Sequence, residues 1–296
     1  MKNSLGIIRI AGSTKTHFYF QTCRAGELIS TNKGLDNFTL SNYKITPNVV
    51  SSGFQYIVDS PKLIIYEKNS RSFSMNDLQQ EKKPFTYHFP RSLCSRAVKI
   101  SDSYIFRGFD TSVHTVDQIF FKANPNTNIT YIENGISERL NDAGISTDGH
   151  LDYDTTFHMV TYTYFYKSEL KGLDTNLNLL YKTNTIDNTP GYTITAGHFR
   201  ENNKLKFTNI APSKLINYLV RISEGKLFIN SLIKASNEVA DTFKKNNVID
   251  IYDLRNGMYI KSLYIVRYKD EQLQDFSVID GKLLALYPHY LILYSL

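Results

Sequence analysis

Five times along the chain an apolar run meets a short polar turn and leaves as a second apolar run. The units are residues 56–65, 98–106, 151–160, 220–229 and 278–286. Their turns carry Asp59, Asp102, Asp154, Glu224-Gly225 and Asp280-Gly281. Short runs rich in Tyr, Ile, Val and Phe, reversed by such turns, read as β-hairpins. A hairpin recurring at intervals of roughly 40–70 residues is the pattern of an array of small antiparallel sheets.

The units share a second half. Residues 165–170 and 173–181 read as a third and a fourth strand, as do two strands within residues 248–261 around Asn256-Gly257. Asn-Gly between alternating strands predicts a tight hairpin with positive φ at both turn residues. Sustained 3.6-residue periodicity is nearly absent; only residues 231–243 predict a short helix or a long decorated loop. The last unit stops after three strands, near residues 290–294. Its outer strand is expected from the N-terminus, from Ile7-Ile8 or from His17-Phe18-Tyr19-Phe20. Closure of that kind removes exposed strand edges.

These patterns predict one all-β domain over residues 1–296. It is a β-propeller of four-stranded antiparallel blades, six blades with five as the alternative, closed by an N-terminal strand. Residues 1–50 supply the closing strand and a degenerate blade, and 51–296 the recognisable blades. Composition agrees: 21 Tyr and 18 Phe suit pleated, half-buried surfaces. The absence of Trp excludes the Trp-Asp propeller repeat.

Net charge is +6, but the Lys and Arg residues are scattered and their tightest runs are the pairs Lys82-Lys83 and Lys244-Lys245. That describes a solvated surface, and no nucleic-acid partner is expected. Cys23 and Cys94 make neither a disulfide framework nor a zinc site; one long-range disulfide and two separate thiols both remain open. No apolar run reaches the roughly 18 residues of a membrane span. The N-terminus lacks a secretory leader pattern and starts abruptly in strand-like sequence. A periplasmic or membrane-anchored extracytoplasmic location is expected if a segment has been removed, a cytoplasmic one if this start is native. A monomer is expected.

Residues 248–264 and 275–296, with the earlier stretch 141–154, give the chain a resemblance to the six-bladed, TolB-like propeller proteins of Bacteroidetes. The likeness covers most of residues 50–296, weakens toward the N-terminus and lies in repeat style. It implies the propeller fold and an exported or anchored protein. It supplies no residue roles.

Phosphate loops, dinucleotide-binding glycines, nucleophile elbows, paired-His zinc helices and Cys-x-x-Cys are all absent from the sequence. The seven His residues are dispersed. Candidate chemistry is therefore positional, in the connectors between blades: residues 51–55, 91–96, 137–150, 211–217 and 269–274. Arg91 and Arg96 flank Cys94. The connector 137–150 is long against the usual 4–6 residues and carries Glu138, Arg139, Asn141, Asp142, Asp148 and His150.

Three readings follow. Asp142, Asp148, Asp152 and Asp154 offer hard oxygen ligands for calcium, against their use as solvated turn residues. Asp148, His150 and Asp152 share one face of a strand, with Arg96 as an anion clamp, and offer acid–base chemistry. Tyr162, Tyr164 and Tyr166 form a stacking platform or, instead, packing between blades. The sequence supports a non-catalytic propeller that presents a loop face to a protein, peptide or glycan, with Arg96, Asp148, His150 and Asp152 as ligand-binding candidates. The alternative is a propeller-type hydrolase or lyase with a site at the channel mouth. No cofactor is expected apart from the calcium reading.

Overall fold

Strand alternation gives each segment one face to bury, and a sharp turn between two such segments sets their register. All five hairpins anticipated from the sequence are present in the computed structural model. It describes residues 2–45, 53–68, 70–79, 83–110, 116–125, 129–133, 135–189, 196–201, 204–209 and 214–296.

The first sheet is β1 (Ile7–Ser13), β2 (His17–Thr22), β3 (Glu27–Asn32) and β4 (Phe38–Asn42). The second is β5 (Phe54–Asp59), β6 (Lys62–Glu67), β7 (Ser72–Asp77) and β8 (Phe85–His88). The third is β9 (Ser92–Ile100), β10 (Ser103–Asp110), β11 (Ile119–Ala123) and β12 (Ile129–Ile132). The fourth is β13 (Gly149–Asp154), β14 (Met159–Tyr164), β15 (Leu170–Asp174) and β16 (Leu179–Thr183). A separate hairpin follows, β17 (Ala196–Glu201) and β18 (Lys204–Asn209). The fifth four-stranded sheet is β19 (Asn217–Ser223), β20 (Lys226–Ser231), β21 (Asn246–Asp253) and β22 (Tyr259–Val266), with helix α1 (Ala240–Lys245) leading into β21. The last sheet is β23 (Asp275–Ile279), β24 (Lys282–Leu286) and β25 (Leu291–Ser295). Within each sheet, strands consecutive in sequence pair antiparallel. The fold is a six-bladed β-propeller almost without helix.

The chain divides into two compact units, one of residues 1–95, 125–128 and 268–296 and one of residues 96–124 and 129–267. In the first unit, Ile10, Phe18, Phe20 and Ile29 pack with Leu284, Leu286 and Leu291, so the first and last sheets share a core. The N-terminal segment closes onto the last sheet: Lys2 bridges Tyr290, and the Asn3 amide donates to the His289 carbonyl at 2.7 Å. Neither sequence stretch expected to supply that outer strand does so. Ile7-Ile8 and residues 17–20 lie in β1 and β2 of a complete blade of their own. Register shifts between Ile7 and Arg9 and between Ile10 and Gly12 break the alternation of β1, which made this blade look degenerate in sequence.

In the second unit one cluster gathers Ile105, Phe120, Leu151, Val160, Tyr162 and Tyr164, and another gathers Leu170, Val220, Leu227, Ile229 and Tyr252. Each such apolar side chain, fully buried, contributes about 1.5–3 kcal/mol. Three local expectations are corrected here. The third strand expected over residues 165–170 is β15, which begins only at Leu170, and the fourth expected over 173–181 is β16, which begins at Leu179. Residues 91–96 are no connector, because β9 starts at Ser92. At Asn256-Gly257 only Gly257 has positive φ (70°), in a wider turn where the Gly257 amide donates to the Asp253 carbonyl at 2.8 Å. The two-residue pattern occurs instead at Glu224-Gly225 (φ 50° and 70°) and Asp280-Gly281 (φ 49° and 68°). Residues 231–243 are mostly loop, with α1 at their end.

Candidate functional site

The long connector after β12 is built around two buried charges that the sequence reading did not single out. Arg107, on β10, is 1% exposed. Its guanidinium donates to the Gln118 carbonyl, to Ser137 Oγ at 2.6 Å and to Thr147 Oγ1 at 2.9 Å. It lies over the rings of Phe120 and Tyr162 at 4.9 and 5.6 Å. Asp117 is 0% exposed. Its Oδ2 accepts the Asn141 amide at 2.7 Å, and its Oδ1 accepts the amides of Asp142 at 3.0 Å and Gly144 at 3.2 Å. A buried carboxylate holding three backbone donors replaces the hydrogen bonds that a loop lacks.

Further contacts fix the same segment along its length. Glu133 Oε2 accepts the Ser137 amide at 2.7 Å, Asp142 Oδ2 accepts the Ser146 amide at 2.9 Å, and the Tyr162 hydroxyl donates to the Thr147 carbonyl at 2.7 Å. Asn141 and Ala143 both adopt φ of 60°, a conformation costly outside glycine. Gly144 (φ 72°) sits so close to Gln118 that an added Cβ would lie 3.0 Å from its Cβ. Above these anchors Arg139, Leu140 and Asn141 stand exposed, Leu140 at 52%.

The connector ends at the residues the sequence put forward. Arg96 on β9 donates through Nε to the Gly149 carbonyl at 3.1 Å and reaches Asp148 Oδ2 from Nη2 at 3.4 Å. Asp148 Oδ1 accepts the Gly149 amide at 2.9 Å. The Arg96 guanidinium lies 5.5 Å from the Phe165 ring, and His150 meets that ring edge-on at 4.6 Å. His150 Nε2 donates to the Tyr218 carbonyl at 2.9 Å. Leu151 and Tyr153 face the cluster around Phe120, so alternation puts His150 and Asp152 on the opposite face of β13.

Asp152 is half-buried as a residue, but its Oδ2 is shut off from solvent and takes no hydrogen bond among the described residues. Burial pushes its carboxyl up to about 6, against the opposing pull of Arg221 and Arg96. Arg96, Asp148 and His150 thus meet around Phe165, and Asp152 lies within electrostatic reach of Arg96. Arg96 bonds a backbone carbonyl and the Asp148 carboxylate, and His150 bonds a backbone carbonyl, which fixes strand ends.

The carboxylates of the calcium reading separate: Asp142 holds Ser146, Asp148 holds Arg96, and Asp154 Oδ2 accepts the Phe157 amide at 2.6 Å as a turn residue. Among the described residues no group of three or more His, Cys, Asp or Glu is arranged to hold a metal ion. Tyr162 and Tyr164 are buried packing residues, and Tyr164 accepts a bond from the buried Lys171 Nζ at 2.9 Å. Burial lowers the Lys171 ammonium below its ordinary range, against Glu169 and Glu138. Cys23 is exposed and Cys94 buried, and both are free thiols. Residues 51–52 and 211–213 of two connectors, Lys82, His114 and the His198 side chain lie outside the described residues. No helix among the described residues is long and apolar enough to cross a membrane.

Comparison with solved structures bears on the fold. A member of the DUF4221 family from Bacteroides vulgatus superposes with a TM-score of 0.56 at 12% identity, covering 95% of this chain and 86% of that one. The Cps50 (Swd1) β-propeller domain of Myceliophteria thermophila gives 0.51 at 10% identity, covering 100% and 98%. A streptogramin B lyase gives 0.50 at 10% identity, covering 97% and 94%. No protein-family model matches the chain, and no curated protein matches it by sequence. Identities this low establish a shared fold alone, and a shared fold does not choose a function.

Proposed function

We propose that this chain is a non-catalytic binding protein that presents the connector 137–149 to a protein or peptide partner. The observation that carries the reading is the anchoring of an exposed Arg139-Leu140-Asn141 tip by the fully buried Asp117 and Arg107. A loop already ordered in the free protein loses less entropy on binding, and arginine is enriched among the residues that dominate interfaces. Within this reading Arg96, Asp148, His150 and Asp152 form the base of the binding face and hold the connector's end in place. The hydrolase or lyase alternative receives less support, because Arg96 and His150 bond backbone carbonyls instead of standing open to a substrate. Kinship with TolB-like Bacteroidetes propellers, and with it an extracytoplasmic location, belongs to the same proposal and is supported by the repeat style of residues 248–296.

The test is affinity capture from an envelope extract of the source organism with the parent chain, with an Arg139→Glu/Leu140→Asp variant and with Arg96→Glu. A partner held by the parent and released by both variants, at unchanged thermal stability of the tip variant, is the expected result. A partner retained by the tip variant would overturn the assignment of this face.

A further inference from the structure

The first unit contains an open cleft of about 720 Å³ between its first two sheets, bordered by the turn after β1 and the turn after β5. That volume lies within the ~300–1,000 Å³ usual for ligand sites. Its floor is apolar and partly aromatic: Tyr19, Tyr43, Val58 and Leu78 are half-buried and pack over the buried Leu28. Its rim is dense in hydroxyl and amide groups, among them Thr14, Thr16, Ser30, Ser60 and Gln79. The side chains of Ser30, Ser60 and Gln79 make no hydrogen bond among the described residues, so their bonding capacity is open to a ligand.

Charge narrows the class. Among the described residues no arginine lines the cleft; its basic groups are Lys15 and His17, and its one carboxylate is Asp59. A phosphate or other polyanion calls for converging guanidinium and ammonium groups, and among the described lining residues Lys15 is the one such group. A purely apolar ligand would strand the rim's hydroxyls without partners. A ring with C–H groups on its faces and hydroxyls around its edge satisfies both parts. The C–H face lies on the electron-rich face of a tyrosine, and the hydroxyls exchange bonds with Ser, Thr, Gln and the Asp59 carboxylate. We infer that this cleft is a binding site for a neutral saccharide, separate in residues and in ligand from the connector face.

A glycan array carrying neutral and acidic oligosaccharides tests the site, followed by calorimetry with the best-retained neutral member. Ser41→Trp fills the cleft from β4, and Gln79→Leu removes a rim amide at an exposed position outside the strands. The expected result is retention of neutral glycans, with affinity lowered at least about tenfold in Ser41→Trp and measurably in Gln79→Leu, while Arg139→Glu/Leu140→Asp binds as the parent does. Thermal melts establish that each variant is folded, and Gln79→Leu decides the matter if Ser41→Trp is not. Retention of no neutral glycan, retention of acidic glycans alone, or parent-like binding by the folded cleft variants would overturn the proposal.

Discussion

Replacing Asp117 isolates what holds the long connector. In the parent chain its two oxygens accept three backbone amides at 2.7, 3.0 and 3.2 Å, at a position with no solvent exposure. A buried donor left without a partner costs about 1–3 kcal/mol. Asp117→Ala strands all three, so even the low end of that range taken three times predicts a loss of about 3 kcal/mol. Asp117→Asn keeps nearly the same shape and one acceptor oxygen. Placed where Oδ1 lies, that oxygen retains Asp142 and Gly144, while the new amide group turns its own donors toward the Asn141 N–H. One lost bond, with its charge assistance, predicts about 1–3 kcal/mol.

Two measurements read the effect. Urea unfolding gives the global loss from the shift in midpoint, and the expected order is parent, then Asn, then Ala. Amide exchange over residues 137–147 gives the local effect. Protection at Asn141 falls in both variants, whereas protection at Asp142 and Gly144 falls mainly in Asp117→Ala. An Ala variant within about 0.5 kcal/mol of the parent, or an Asn variant that loses all three amides equally, would show that the connector is held by packing and not by this carboxylate.

Asp152 gives a pH dependence with a definite sign. Its carboxyl rises from 3.8 to about 6, so the folded chain binds more protons than the unfolded one between these values. Stability therefore falls as pH rises through that window and stays lower above it, by no more than about 3 kcal/mol. Asp152→Asn is expected to raise the melting temperature at about pH 7.5 and to change it little near pH 3.5; an equal shift at both would refute the assignment. Two turn glycines with the same backbone hand separate space from conformation. A Cβ at Gly257 (φ 70°) would lie 2.5 Å from Thr183 Cγ2, whereas one at Gly281 (φ 68°) meets nothing within 4 Å. Gly281→Ala should cost about 1–2 kcal/mol from the left-handed conformation, and Gly257→Ala about 1–3 kcal/mol more from overpacking. Equal melting temperatures for the two variants would remove the packing argument. In the native protein a thiol reagent should label Cys23 and spare Cys94, with both labelled after unfolding; rapid labelling of Cys94 would contradict its burial.

The inner hairpins were legible because nothing interrupts them: alternation runs up to a short polar turn, which in four of the five holds a residue at positive φ, and both features are local. The first blade was not, because the two shifts in β1 displace its side chains relative to β2 and leave no period to read. The site shows the same divide. The connector's length drew attention to residues 137–150, and Arg96, Asp148 and His150 do meet around Phe165. Asp117 and Arg107 lie up to 27 and 40 residues from the groups they bond, and no spacing rule joins them. A trace of Arg107 was nevertheless present. It interrupts the apolar run from Tyr104 to Phe109 on a strand whose neighbours are buried on both faces. A charge in such a run must be solvated by the chain itself, since water cannot reach it, so the residues that solvate it have to come from the nearest segment without its own hydrogen-bonded partner. Here that segment is the long connector, and the buried arginine and the ordered loop are consequences of one requirement.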